Sequence, residues 1–180
     1  MASVTAPVHR LSVDDVYRMV EAGVLGEHDR VELVEGVLVD MVPSGPEHDG
    51  AIAWLTRHFA RAESDAWEVR VQSMLLAAGG YLLPDLTLVA PLPRSALPAT
   101  AHLCVEVAQT SQARDHEKAG DYAAADVPEY WIVDLPARAV VVHRRPLAGA
   151  YQEIATFGDG ESLEPSLADA PPVDVTALLG

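Results

Sequence analysis

Apolar and polar positions divide the chain into ten elements. The run Leu11-Ser12-Val13-Asp14-Asp15 reads as a helix start, with Ser12 as the cap and Asp15 three positions on. Val16, Met19 and Val20 form its apolar stripe and Gly23 stops it, giving an N-terminal helix over 11–22. Residues 30–42 predict a β-hairpin around a Glu35-Gly36 turn, and Pro43-Ser44-Gly45-Pro46 is a loop. Ile52, Trp54, Leu55 and Phe59 recur at helical spacing, predicting a long helix over 47–64. Strands follow at 67–76, 81–90 and 102–109, the first two separated by a turn at 77–80. Residues 110–112 form a loop and cap. Good helix formers fill 114–125, and Val127-Pro128 ends that helix. Strands at 130–134, 139–144 and 151–156 complete the pattern. The acidic, Pro-rich tail over 159–180 lacks periodicity and is expected to wrap the surface.

This order predicts an α/β protein of the α+β-like kind, a mixed sheet with helices packed on it. Regular βαβ alternation is missing, and so are the GxGxxG and GKS/GKT loops of nucleotide binders. With 180 residues and 49% hydrophobic content, one domain over 1–180 is expected, its core at about 28–145.

Composition narrows the function. The net charge is −15 and no basic run occurs, which argues against a tight, non-specific nucleic-acid binder. The lone Cys104 sits mid-strand and reads as a small core residue in a reducing compartment. The first 15 residues have no signal-peptide core, and no apolar run is long enough to span a bilayer, so a cytoplasmic protein without membrane partners is expected.

Candidate chemistry lies between Pro84 and Tyr122. Asp85 opens the apolar run 86–89, and Glu106 interrupts the apolar run 103–108. A strand apolar on both faces is buried on both faces. An ionised carboxylate there costs several kcal/mol unless it is paired. Two on neighbouring strands would repel, and a shared cation is the simplest remedy. Carboxylate oxygens suit Mg²⁺, with Mn²⁺ as substitute, whereas zinc would want His or Cys and no HxxxH or CxxC occurs. Lys118 is the only lysine beside 11 arginines. One metal, two carboxylates and an ammonium make a minimal phosphodiester-cleaving site. Each residue also has a structural reading: Asp85 in a turn, Glu106 paired with a buried arginine, Lys118 paired with Glu117 or Asp121. Glu32 would be the wet side of the hairpin, His48 a helix cap, and Tyr122 core packing. Tyr130 and Trp131 read as core.

Pro84-Asp85 followed by Glu106-Val107-Ala108 resembles the metal-binding motif of the PD-(D/E)xK superfamily, whose fold is restriction-endonuclease-like. The lysine usual two places after the glutamate is replaced by Ala108. The segment running from Glu106-Val107 through Ser111, Arg114-Asp115, Glu117-Lys118 and Tyr122 to Val127-Pro128-Glu129-Tyr130-Trp131-Ile132-Val133-Asp134 resembles one branch, the Uma-two family of endonucleases. So do Glu32-Leu33-Val34-Glu35-Gly36 and His48. The resemblance spans about residues 10–156, and it implies an αβββαβ core and a Mg²⁺-dependent DNA endonuclease. Asp85, Glu106 and Lys118 would be catalytic. Asp85, Glu106 and the Val107 carbonyl would bind the metal, with Glu32 reaching it through a water. Lys118 would serve the attacking water, oriented by Tyr122, with His48 in support. Lys118→Ala is expected to leave the fold intact. The chain departs from the family at Asp126, where Gly is usual. Two other readings stay open: a catalytically silent nuclease-like module that binds or regulates a partner, and a hydrolase of small phosphodiesters. A homodimer could gather Arg57, Arg61, Arg70, Arg144 and Arg145 into a basic groove for DNA.

Overall fold

The computed structural model describes residues 9–26, 28–41, 45–62, 64–77, 79–109 and 112–180, with only the backbone of 112–117. The hairpin's end at Val42, loop residues 43–44, residue 63 of the long helix, turn residue 78 and the capping residues 110–111 lie outside them.

The chain opens with α1 (Val13–Glu21), closed by the expected capping box between Ser12 and Asp15. Then come β1 (Val31–Val34) and β2 (Val37–Asp40). Glu35 and Gly36 both have positive φ, the geometry of a two-residue hairpin turn. At Gly36 a side chain would also collide with Arg10. Next are α2 (Pro46–Ala60), β3 (Glu68–Val71), β4 (Leu75–Ala77), β5 (Gly80–Leu82), β6 (Leu86–Val89), β7 (Leu103–Ala108), α3 (Gln112–Ala124) and β8 (Glu129–Asp134). The chain ends with β9 (Ala139–Leu147), β10 (Ala150–Gly158), β11 (Ser162–Leu163), β12 (Val173–Asp174) and α4 (Val175–Leu179).

Two predicted strands are each broken in two. Residues 67–76 separate into β3 and β4 at Gln72, whose φ of 46° is left-handed. Residues 81–90 separate into β5 and β6 around Pro84-Asp85. The breaks let the chain serve two sheets. One has the order β2-β1-β5-β4; the larger is β10-β9-β8-β7-β6-β3. Only β7 and β8 run parallel in the larger sheet, joined through α3. Omitting the β4–β5 excursion, α2-β3-β6-β7-α3-β8 is the αβββαβ arrangement of the restriction-endonuclease-like fold.

Alternation along β7 separates the two faces of the larger sheet. Leu103, Val105 and Val107 pack with Ile52, Leu55 and Phe59 of α2. Cys104 and Ala108 pack with Tyr122 of α3 and with Tyr130 and Ile132. Glu106 is in register with this second set and so faces α3. The tail corrects the sequence expectation: Leu163, Val173, Val175 and Leu178 are buried in the core on the α2 side. Elements of two to five residues are too short to show a periodicity of their own.

Helix α3 ends in a Schellman motif. The Val127 N–H bonds the Tyr122 carbonyl at 3.1 Å, and the Asp126 N–H bonds the Ala123 carbonyl at 3.2 Å. This places Asp126 at a φ of 54°, a conformation that suits glycine. Asp126→Gly is expected to raise stability by about 0.5–1 kcal/mol. Chemical denaturation would check this; an unchanged or lowered midpoint would show that the aspartate makes a compensating interaction.

Candidate functional site

The site forms where the two sheets meet between the N-terminus of α2 and α3. In the antiparallel β6–β7 ladder Leu86 pairs with Val105 and Thr87 with Cys104. One step further, the same register sets Asp85 opposite Glu106 on one face. Both are buried, at 5% and 4% exposure. Glu32 enters from β1 with no exposure at all. Gly80 makes that approach possible, because a Cβ there would run into the Leu33 carbonyl across the β1–β5 pair. The chain leaving β5 then donates the Leu83 N–H to Glu32 Oε1 at 3.0 Å.

Lys118 links these groups. Its Nζ lies 2.9 Å from Glu106 Oε1 and 3.0 Å from Glu32 Oε1, and the residue is 8% exposed. Tyr122, one turn later on α3, donates its hydroxyl to Glu106 Oε1 at 2.7 Å. It therefore contacts the carboxylate rather than the lysine. The Asp85 carboxylate is held differently: Oδ2 accepts the Val107 N–H at 2.9 Å and lies 3.1 Å from His48 Nε2. His48 comes from the first turn of α2, and its Nδ1 lies 3.3 Å from Asp49 Oδ1. With a carboxylate at each ring nitrogen, both nitrogens are best used as donors, which favours the imidazolium.

Burial above all, opposed by Lys118 and reinforced by the charges of Asp85 and Glu32, leaves the Glu106 carboxyl raised to about 8. Burial opposes the charged Lys118, but Glu106 and Glu32 more than offset that, so the ammonium is held above its ordinary range. The hydrogen bond to Asp85, and then its charge, raises His48 against the effect of burial. Three buried carboxylates thus share one lysine and one histidine. Asp85 Oδ1 and Glu106 Oε2 accept no hydrogen bond among the described residues. These two oxygens, on facing strands, are where this site could hold a cation. Among the described residues, no three His, Cys, Asp or Glu side chains form a ligand cluster. A donor set of two carboxylates suits a hard ion that retains several waters, as Mg²⁺ does.

All the residues singled out from the sequence, Glu32, His48, Asp85, Glu106, Val107, Lys118 and Tyr122, lie in this one hydrogen-bonded neighbourhood. Gln72 was not singled out. Its N–H bonds the Asp85 carbonyl at 3.1 Å, and its left-handed backbone is a strain of about 1–2 kcal/mol for an ordinary residue. No sequence pattern marks it, because it reads as the polar position of an alternating strand.

The geometry revises one expectation. Removing Lys118 would leave buried Glu32 and Glu106 without their cation, so Lys118→Ala is expected to destabilise the metal-free protein by about 3 kcal/mol above about pH 8, where Glu106 is ionised. A denaturation midpoint equal to that of the parent would show that both glutamates find other partners. The pKa directions give a second expectation. Glu106 is raised when folded, so the native state holds an extra proton between about pH 4.5 and 8, and stability falls as pH rises through that window. His48 acts in the same sense: its contribution is complete below about 6.5 and is lost as pH rises through its folded value. Thermal melts in chelator should therefore show Tm declining from about pH 5 to 9. A rising Tm over that range would contradict the assignment.

A family model described as "Putative restriction endonuclease" (Uma2) matches residues 13–170. No curated protein matches the chain. Among solved structures, a putative nuclease belonging to DUF820 from Anabaena variabilis ATCC 29413 superposes with a TM-score of 0.76 at 14% identity. The match covers 94% of this chain and 97% of that one, and at such low identity it speaks to the fold.

Proposed function

The chain belongs to the Uma2 family of putative restriction endonucleases, and from that membership we propose that its buried carboxylate site is the active site of a Mg²⁺-dependent DNA endonuclease. The observation that carries the reading is the pair Asp85 and Glu106, set opposite each other with one unshared oxygen apiece and Lys118 bonded to Glu106. When bound there, a divalent ion would polarise a phosphoryl oxygen and acidify a bound water.

The chain's own residues divide the remaining work. Val107 N–H and His48 fix one Asp85 oxygen, so the other is presented in a set orientation. Tyr122 and Lys118 do the same for Glu106. Lys118 is held as an ammonium by two glutamates, so its role is that of a donor. It would orient the attacking water and stabilise charge gathering on the phosphoryl oxygens; it would not take the water's proton. Glu32 keeps that ammonium charged and in place.

The net charge of −15 favours a second reading, a hydrolase of small phosphodiesters, whose substrate meets less long-range repulsion than DNA. The deciding experiment incubates the protein with Mn²⁺ or Mg²⁺ and single-stranded, duplex or supercoiled DNA, alongside a chromogenic phosphodiester. Cleavage of DNA is expected, reduced by roughly a hundredfold or more in Asp85→Asn and in Glu106→Gln. Cleavage of the chromogenic ester alone would favour the second reading. Activity untouched by either substitution would remove the site from the chemistry.

A further inference from the structure

Beside the carboxylates an open groove of about 640 Å³ runs along the outer side of α2. Arg30 and Arg57 line it, with Asp49, Gln72, Ile52 and Val71. Two hydrogen-bonded routes tie it to the site. Asp49 bonds His48, which bonds Asp85, and the Gln72 N–H bonds the Asp85 carbonyl. Arg30 lies two residues before Glu32.

The charge of this groove runs against that of the molecule. The chain carries 27 Asp and Glu against 12 Lys and Arg. Among the described residues Arg18, Arg70, Arg138, Arg144 and Arg145 are ion-paired to carboxylates, whereas Arg61 and Arg94, outside the groove lining, are not. Arg30 and Arg57 have no carboxylate partner among the described residues, and both are exposed. The one carboxylate in the lining, Asp49, is engaged by His48. Among the described residues neither guanidinium has a carboxylate to neutralise, and a planar fork of donors suits phosphate. Val71, exposed at the groove wall, offers apolar surface to a sugar or base. Gln72 presents an amide able to donate and accept, from a backbone turned out of β3 by its left-handed φ.

We infer that this groove holds the nucleic-acid strand flanking the phosphodiester at the carboxylate site, Arg30 and Arg57 taking backbone phosphates and Gln72 contacting a base. The inference rests on the nuclease reading for its choice of ligand. It also explains how an acidic protein would seat a polyanion, through a short local track rather than a broad basic face.

The test measures binding without cleavage. Fluorescence anisotropy of a labelled oligonucleotide, single-stranded and duplex, is followed in chelator over a range of salt concentrations. The combined substitution Arg30→Gln with Arg57→Gln should weaken binding roughly tenfold and flatten the salt slope by about 1.4 for single strands or 1.8 for duplex. Arg18→Gln with Arg94→Gln, the same loss of charge outside the lining, should change binding far less. Gln72→Ala should alter the ranking among oligonucleotide sequences and leave the salt slope alone. Equal losses from both arginine pairs, or no binding by the parent protein, would overturn the groove. Groove-dependent binding by a protein that cleaves nothing would uphold the groove and remove the endonuclease reading.

Discussion

A carboxylate on a strand with no wet face is the constraint around which this fold is arranged. Glu106 is the only charged position in β7, and the residues on either side of it in the strand are core. Its burial is tolerated because Lys118 and Tyr122 reach down from α3, and because Glu32 shares the lysine from another sheet. The chain also contains a counterexample. Glu129 is equally buried, but the Trp131 indole N–H, the Arg144 guanidinium and the Ser166 N–H together engage both its oxygens. That carboxylate is fully provided for and reads as architecture. Glu106 and Asp85 each keep one oxygen over, and this surplus separates a site from a structural ion pair.

The scaffold holds the surplus open through rigid elements. Asp85 stands at the start of β6 and is clipped to the backbone of β7, so the strand pairing itself sets its position. The Schellman turn anchors the end of α3 through Tyr122, the residue whose hydroxyl reaches Glu106. The β4–β5 excursion brings Glu32 in through the β1–β5 pair. Such a site loses little side-chain entropy when a ligand arrives, since its donors are already oriented.

Much of this was legible in the sequence. The two charged interruptions in apolar runs and the solitary lysine marked Asp85, Glu106 and Lys118, and local patterns marked both long helices, the hairpin turn and the Ser12 cap. What escaped had physical reasons. The break at Gln72 is imposed by two sheets competing for one strand, and a side-chain pattern carries no sign of it. The tail's Val173, Val175 and Leu178 are core residues within segments too short to show a period. Lys118 was expected to be dispensable for folding because its second partner, Glu32, is 86 positions away in the chain, a distance that no local pattern bridges. His48 could be read as a cap from its place at a helix start; only the tertiary fold points its ring at Asp85.

The pinned state of Lys118 has a chemical corollary. It is the only side-chain amine in the molecule, and two glutamates keep it protonated and nearly enclosed. An acylating or reductive-alkylating reagent attacks the neutral amine, so this nitrogen is shielded both by charge and by access. Anything that draws Glu106 away from it loosens that protection. The lysine thereby becomes a single built-in label whose rate of modification follows the electrostatic state of the carboxylates around it.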